Sequence, residues 1–488
     1  LIYGLQGYYA GDRYEMQAFF NHFNQQNQEN GGITDDLYIT DPAELQGGVD
    51  QIEPKSIPTR LTRAKNRVAG AEFYMNHAYK LGFWRDITAP TDTVTREIFI
   101  PVTKFIYSFG YNYGHHIFTN TNATEARDFW NNTYFNPSST RDEAWRRSYT
   151  NILGVEMIEG FQTWAKFGLS AFAEYEIDRF NLSTVVPEGE TEAELSPLPF
   201  TTKNGLAETR HRLWVGGRIE KTKGSILRYN ANARFGLLGD AAGELSVEGA
   251  ILTNFKLGKD IVSVAAEGFF RNTSPSWLLR HYVSNHFVWE NDFGKTRSFR
   301  VGGNLFIPWT DTRIKAGVEN IQNYVFFNSS SLPEQYGGSV QIFSASIEQK
   351  LHFGIWNWNN TVTYQATSNA DVIPLPALAL YSNMFIDFEA FKVLRMQIGI
   401  DCDYYTRYRG LDYQPATMQF HVQGENPVEV GNFAFANVYL NARIKKTRFF
   451  IVWSHVNQGL FGSNYFALPH YPANPRQLKL GLSIDFAN

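Results

Sequence analysis

The chain has 488 residues, 43% apolar and 19% charged, with a formal net charge of −4, one cysteine, and 39 Phe, 26 Tyr and 11 Trp, yet its mean hydropathy is −0.32. The charge excludes a basic nucleic-acid binder, and the lone Cys402 excludes an intrachain disulfide. The longest charge-free run, 449–475, is broken by Asn, Gln, Gly, His and three prolines, which excludes a membrane-spanning helix and leaves a β-barrel as the only membrane-spanning option.

The sequence opens inside an apparent strand at Leu1, with neither Met nor an export leader, so removed sequence is expected before it. A hairpin is expected over 1–9 and 13–24, then a long polar connection, 25–61. Strands follow at 66–81 and 97–119, the second carrying Phe105, Tyr107, Phe109, Tyr111 and Tyr113, before a second long loop at 120–144. Segments 147–159 and 163–182 read as a hairpin. In the latter, Phe167, Leu169, Ala171 and Ala173 alternate with Glu174, Glu176 and Asp178 on the opposite parity.

After a third long loop, 183–207, four strands with short turns are expected. Their polar rows carry Arg212 and Arg218, then Arg228 and Arg234, then Glu248, then Glu267 and Arg271. Their apolar rows include Leu227, Phe235, Val262 and Val264. Segments 280–290, 296–309 and 313–327 continue less regularly, and alternation returns in 338–353, 356–366 and 380–391. Over 393–409 it runs ten positions without a break: Ile398 and Ile400 lie in the apolar row, and Arg395, Asp401 and Asp403 in the polar one, with Arg407 beyond. That run matches the ~9–11 residues a tilted strand needs to cross a bilayer. Loops at 409–430 and 459–475 flank strands containing Leu440 and the basic turn Lys445, Lys446, Arg448. The last strand, 476–486, places Leu478, Leu480, Leu482, Ile484 and Phe486 on one face, an ending suited to closing the seam of an outer-membrane barrel.

The expected fold is therefore all-β: a single antiparallel transmembrane β-barrel over 1–488, with long external loops, short periplasmic turns and an even strand number near 18–20. About twenty segments are counted, but the long loops do not all fall on one side of that count. Either one strand between Glu208 and Ser330 is miscounted, or one is missing before Leu1.

The C-terminal third carries a family likeness. The stretches YQATSNADVIPLPALALYSN (364–383), QIGIDCDYYTRYRGLDYQPATMQF (397–420), NARIKKTRFFIVWSHVNQG (441–459) and YFALPHYPANPRQLKLGLSIDF (465–486) resemble the "Putative porin" family of Bacteroidetes outer membranes. The resemblance extends back through Asn30-Gly31-Gly32-Ile33. It implies export to the outer membrane and transport, and brings no catalytic residues.

The polar rows are expected to line an aqueous lumen with opposed acidic and basic walls, or else to pair across strands and fill the interior. The apolar rows are expected to face lipid. His115 and His116 point to opposite faces and cannot chelate together; Asp35, Asp36 and Asp41 could hold Ca²⁺ but read as a solvated loop. No metal, cofactor or catalytic constellation is expected. The expected function is passive diffusion of small hydrophilic solutes, in contact with outer-membrane lipid and lipopolysaccharide. The alternative is a platform for a surface lipoprotein or envelope complex; the Pro-containing loops 372–376 and 468–475 suit a docking surface and a rigid rim equally. A TonB-dependent transporter is not expected, since no globular plug precedes the first strand in this sequence.

Overall fold

A computed structural model describes residues 2–33, 59–88, 95–122, 129–187, 195–425, 427–460 and 466–484. Alternating sequence becomes strand nearly everywhere. The long strands are β1 (Ile2–Ala10), β2 (Tyr14–Glu29), β3 (Ala64–Thr88), β4 (Thr95–Asn120), β5 (Thr140–Met157), β6 (Gly168–Thr184) and β7 (Gly205–Lys221). They continue with β8 (Leu227–Leu238), β9 (Leu245–Leu257), β10 (Asp260–Thr273), β11 (Thr296–Ile307), β12 (Thr312–Phe327) and β13 (Pro333–Phe353). The last six are β14 (Trp356–Thr367), β15 (Leu378–Ala390), β16 (Leu394–Tyr405), β17 (Phe435–Ile444), β18 (Thr447–Ser454) and β19 (Gln477–Ile484). Among the described residues no helix is long and apolar enough to cross a membrane.

These 19 strands form one sheet in which each pairs antiparallel with its sequence neighbours, a simple meander. Among the described residues β1 and β19 each carry a ladder on one side only. Nineteen is odd, so the two edge strands run in the same direction.

The loop-parity conflict resolves at 280–290. This segment is not a sheet strand but a short helix, Trp277–Arg280, followed by a two-stranded ribbon, His281–Val283 with Val288–Glu290, inside the 274–295 connection. With it removed, the connections 11–13, 222–226, 258–259, 308–311, 354–355, 391–393 and 445–446 fall at one end. The long ones, 30–63, 121–139, 185–204, 274–295, 406–434 and 455–476, all fall at the other. Several strands outrun their predicted limits: β2 continues to Glu29, β5 begins at Thr140 and β7 at Gly205, so the sheet extends past the expected loop boundaries.

The register keeps one parity on each face from strand to strand. Glu72, Asn112, Ser148, Asp178 and Arg210 are successive cross-strand partners, and Asn383, Asp401 and Asn437 are another such row. The opposite face carries exposed large apolar side chains, including Phe105, Leu153, Val215, Phe299, Val318, Ile347 and Leu480. A sheet with bare hydrophobics on one entire face is stable only against lipid, and in a barrel the other face encloses the lumen.

Buried apolar residues concentrate instead at the long-loop end of the polar face. Phe118 on β4, Phe180 and Leu182 on β6, and Leu61 pack with Trp130, Trp277, Tyr282, Phe287 and Trp289 from the 121–139 and 274–295 connections. Ala416 of the 406–434 connection joins the same cluster. Residues of four long connections, 30–63, 121–139, 274–295 and 406–434, therefore fold inward over the polar face and make a dry core there. A second, smaller cluster ties Ile33 to Val430 and Phe466, drawing in the base of the 30–63 connection and the 455–476 connection. We refer to this interlocked layer as the cap.

Candidate functional site: a charged wall beneath a loop cap

The densest polar constellation lies on β5–β8. Arg146 on β5 donates through Nε to Asp178 Oδ1 at 2.8 Å and through Nη2 to Glu176 Oε1 at 3.2 Å, while Arg212 on β7 bonds both Glu176 and Asp178 from the other side. Two guanidinium groups thus hold two carboxylates that face the same way from one strand, separated by the two-residue repeat. Arg234 on β8 reaches across β7 to Glu174 Oε2 at 3.1 Å. Between the arginines lies Trp214, with Arg212 5.0 Å and Arg234 4.9 Å above its ring and its Nε1 donating to Glu244 Oε2 at 3.0 Å. Gly216 lets the wall lie flat here: a Cβ at that position would stand 2.4 Å from the ring of Phe172, which covers it from β6. Gly399 is covered in the same way by Phe385 and Tyr439.

The same pairing continues around the sheet. Arg271 meets Glu248 at 3.1 Å, Lys315 meets Glu348, Lys104 meets Glu156 at 3.3 Å, and Arg395 holds Asp387 with two bonds of 3.0 and 2.9 Å. Most of these pairs join different strands, so they lie along the wall rather than across the interior. Of the two arrangements left open by the sequence, the charges take cross-strand pairing between neighbours rather than opposed acidic and basic walls.

The cap is locked by one asparagine. Asn285, fully buried, accepts from the backbone N–H groups of Phe135 (3.1 Å) and Asn136 (2.8 Å) and donates to Asn136 O (2.8 Å) and Thr140 Oγ1 (3.1 Å). Its own N–H donates to Asp142 Oδ1 at 2.9 Å. Next to it, His286 stacks on Trp130 at 4.0 Å with the rings 9° from parallel, and bonds Thr140 Oγ1 at 2.6 Å. Burial pushes the His286 imidazole down to about 4, against a weaker opposing hydrogen bond to Asn132 O, so it is neutral at pH 7. A salt bridge from Arg280 to Asp240 (2.7 Å), shared with Arg210, fastens the 274–295 loop to β7. Beside the cap lies a polar cavity of about 450 Å³, lined by Arg60, Asp412, Tyr413, His421, Gln423 and His470 among others. Burial raises the Asp412 carboxyl, but bonds from His470 and the Tyr413 N–H outweigh it and hold the group below its ordinary range.

A family model described as "Putative porin" matches residues 1–488, the whole chain. The chain belongs to that family. It is an integral β-barrel protein of the outer membrane. No curated protein sequence matches it. Solved structures share the fold at low identity: the copper transporter OprC (11% identity, 99% of this chain and 80% of that chain, TM-score 0.59) is one. Two others are from Acinetobacter baumannii: the siderophore receptor PirA (9%, 99% and 71%, TM-score 0.60) and BauA, the ferric preacinetobactin receptor (10%, 99% and 72%, TM-score 0.58).

The predicted polar-row residues of this porin-family chain distribute as follows. Glu174, Glu176, Asp178, Arg212 and Arg234 come together, Glu248 pairs with Arg271, and Arg218 pairs with Glu220 at 2.5 Å. Asp401 accepts from Asn437 at 2.7 Å. Arg228, Glu267 and Asp403 are exposed on their strands, and Arg407 lies beyond the end of β16. Of the apolar row, Leu169, Leu227, Phe235, Ile398, Ile400, Leu478, Leu480, Leu482 and Ile484 are exposed, and Val264 and Leu440 are half-buried. Two positions differ from expectation. Phe167 precedes the first residue of β6, and Val262 is buried near the end of β10 against which the Pro308–Thr310 turn packs.

Asp35, Asp36, Asp41 and Phe486 lie outside the described residues. His115 and His116 face apart, one on Glu143 and one on Asn66. The sequence reading missed Arg146, one residue outside its predicted strand; Arg210 and Asp240, joined to each other across 30 residues, with Asp240 also joined to Arg280 across 40; and Asn285 and His286, whose partners lie about 150 residues away. Only the polar parity of Arg146 and Arg210 was there to be seen.

Proposed function

We propose that this protein is an outer-membrane channel that lets small hydrophilic solutes diffuse through its interior, with the loop cap acting as the filter at the external mouth. One observation carries the reading: a single polar face continuous over 19 strands, with many of its charges paired along the wall, backed by a face of exposed hydrophobics. Paired charges bound to the wall leave space for water, whereas an interior of about this many strands is too wide for side chains alone to fill. Neighbouring opposite charges imply weak ion selectivity, and the polar cavity beside the cap offers an entry route for neutral, hydrogen-bonding solutes. The copper and siderophore receptors of similar fold are named for specific cargo, whereas this wall's charges are engaged with one another.

Closure of the barrel requires partners for β1 and β19. A direct join would be a parallel ladder, as an odd-numbered barrel must have, and an even-numbered antiparallel barrel needs one strand more. Single-channel recording in planar bilayers tests the function: ohmic steps with weak cation–anion preference are expected, and a folded, inserted barrel that gives none refutes it.

The cap favours a second reading. Its loops, held together by two buried clusters, form the surface on which a surface lipoprotein would sit. Co-purification in mild detergent tests this, and a monodisperse partner-free barrel refutes it.

A further inference from the structure

The β3–β4 hairpin outruns its neighbours at the short-turn end. The ladder between β2 and β3 ends at Tyr14↔Tyr79, and that between β4 and β5 ends at Met157↔Thr103. Pairing between β3 and β4 nevertheless continues from Gly82↔Pro101 to Thr88↔Thr95, with no third strand on either side among the described residues. At ~3.3 Å per residue these rungs make about 23 Å of free ribbon. An irregularity between Leu81 and Gly82 marks the departure, and Gly82 is required there because a Cβ would stand 2.1 Å from Ile100 O.

The two faces of this ribbon differ in charge. On one, continuing the exposed apolar row of Tyr79 and Leu81, stand Phe83, Arg85, Arg96, Ile98 and Ile100. On the other, Trp84 packs edge-on against Phe99 at 5.3 Å and is followed by the carboxylates of Asp86 and Glu97, which are direct cross-strand partners. Arg13 of the β1–β2 turn covers Phe99 at 5.5 Å, so this acidic face turns toward the barrel rim and the basic face outward. Arg85 lies over Phe83 at 5.3 Å, and neither Arg85 nor Arg96 has an ion-pair partner among the described residues.

We infer that the outward face of this hairpin binds anionic phospholipid of the periplasmic leaflet, its apolar side chains meeting the acyl–headgroup boundary and Arg85 and Arg96 meeting the phosphates. The inference rests on the short-turn end lying at that leaflet, and is independent of what passes through the barrel. A ribbon meant for water on both sides would set its carboxylates across from its arginines on a shared face, where they neutralise each other. Their segregation to one face leaves the other face cationic and greasy, the composition of a membrane-interface element. Continuity with the lipid-facing row selects lipid over a soluble partner.

The test uses the purified full chain, exposed to equal amounts of phosphatidylglycerol and phosphatidylcholine and examined by native mass spectrometry for retained lipid. Wild type should retain phosphatidylglycerol in preference by roughly tenfold or more, given the usual contribution of basic residues at an anionic surface. R85Q/R96Q should lose most of that preference, R85K/R96K should keep most of it, and D86N/E97Q should keep it fully. Strand content and heat-modifiable migration report folding in each case. Equal retention of the two lipids by wild type, a preference surviving in R85Q/R96Q, or its loss in D86N/E97Q overturns the inference. Conductance should be unchanged in all these variants, so this reading and the channel reading fail separately.

Discussion

Replacing Asn285 by alanine should open the cap without unfolding the barrel. The side chain makes four hydrogen bonds, two accepted from the backbone of 135–136 and two donated to Asn136 O and Thr140 Oγ1. At ~1 kcal/mol net for each, the docking of the 121–139 loop on the 274–295 loop weakens by roughly 4 kcal/mol. The stranded N–H groups of Phe135 and Asn136 would be left in a site where Asn285 itself is inaccessible to solvent, and they can regain partners only if water enters or the loop lifts. The sheet ladders are untouched, since Asn285 lies outside all 19 strands. In planar bilayers N285A should therefore give larger and noisier conductance than wild type, and the intact protein should become susceptible to protease within 121–139. Circular dichroism and heat-modifiable migration should stay as in wild type. Wild-type conductance together with wild-type protease resistance in N285A would refute the assignment of this layer as the filter.

Four further outcomes are expected. The cap should loosen in acid: His286 is held near 4 in the folded state against 6.5 when unfolded, so the unfolded loop takes up the proton first. Its contribution is intact above pH 6.5 and is lost as pH falls toward 4, by about 3 kcal/mol in all, read as increasing conductance noise that H286F should abolish. At the other end, Glu159 accepts from the Thr222 and Lys223 N–H groups at 2.7 and 3.0 Å, joining two adjacent short turns. Burial raises this carboxyl but those bonds outweigh it, so the folded group titrates below 4.5; the link is present above pH 4.5, fades below it, and E159A should lower the thermal midpoint at neutral pH, with no change counting against the clamp. L480R places a charge on the exposed apolar row and should cost ~2–4 kcal/mol of folding into lipid vesicles if it lies near the bilayer midplane; a neutral effect would mean that face meets water. E248Q/E267Q removes acidic groups from the polar face and should shift the zero-current potential toward anion preference; no shift would mean that face does not line the conducting path.

Strand placement was legible because burial in lipid on one side and water on the other imposes a two-residue repeat that few other environments sustain so long. Residues 394–405 of the predicted 393–409 run became β16 with its two faces as read, and the run's last four residues left the sheet. The reading failed at 280–290 for an instructive reason: Tyr282, Val283, Phe287, Val288 and Trp289 are buried in the cap, so a ribbon packed on a dry core carries an apolar content like that of a membrane strand. The cap also covers the long-loop ends of β4 and β6. Phe118, Phe180 and Leu182, inside the predicted strands, share a face with charged residues farther along, because the cap rather than water covers them. The boundaries that fell inside the sheet are those of β2, β5 and β7, which run on to Glu29 and start at Thr140 and Gly205.

The sequence by itself determined that this chain is a meander of strands with one oily and one polar face, because that property is local: each residue's face follows from its parity with the next. Only the tertiary structure decided which charge meets which, that Arg146, Arg212 and Arg234 bind Glu174, Glu176 and Asp178 along the wall, and that Asn285 locks loops about 150 residues apart in the chain. Those pairings depend on the register between strands and on how the loops dock. Both are set by the summed packing of many distant residues, which no local pattern records.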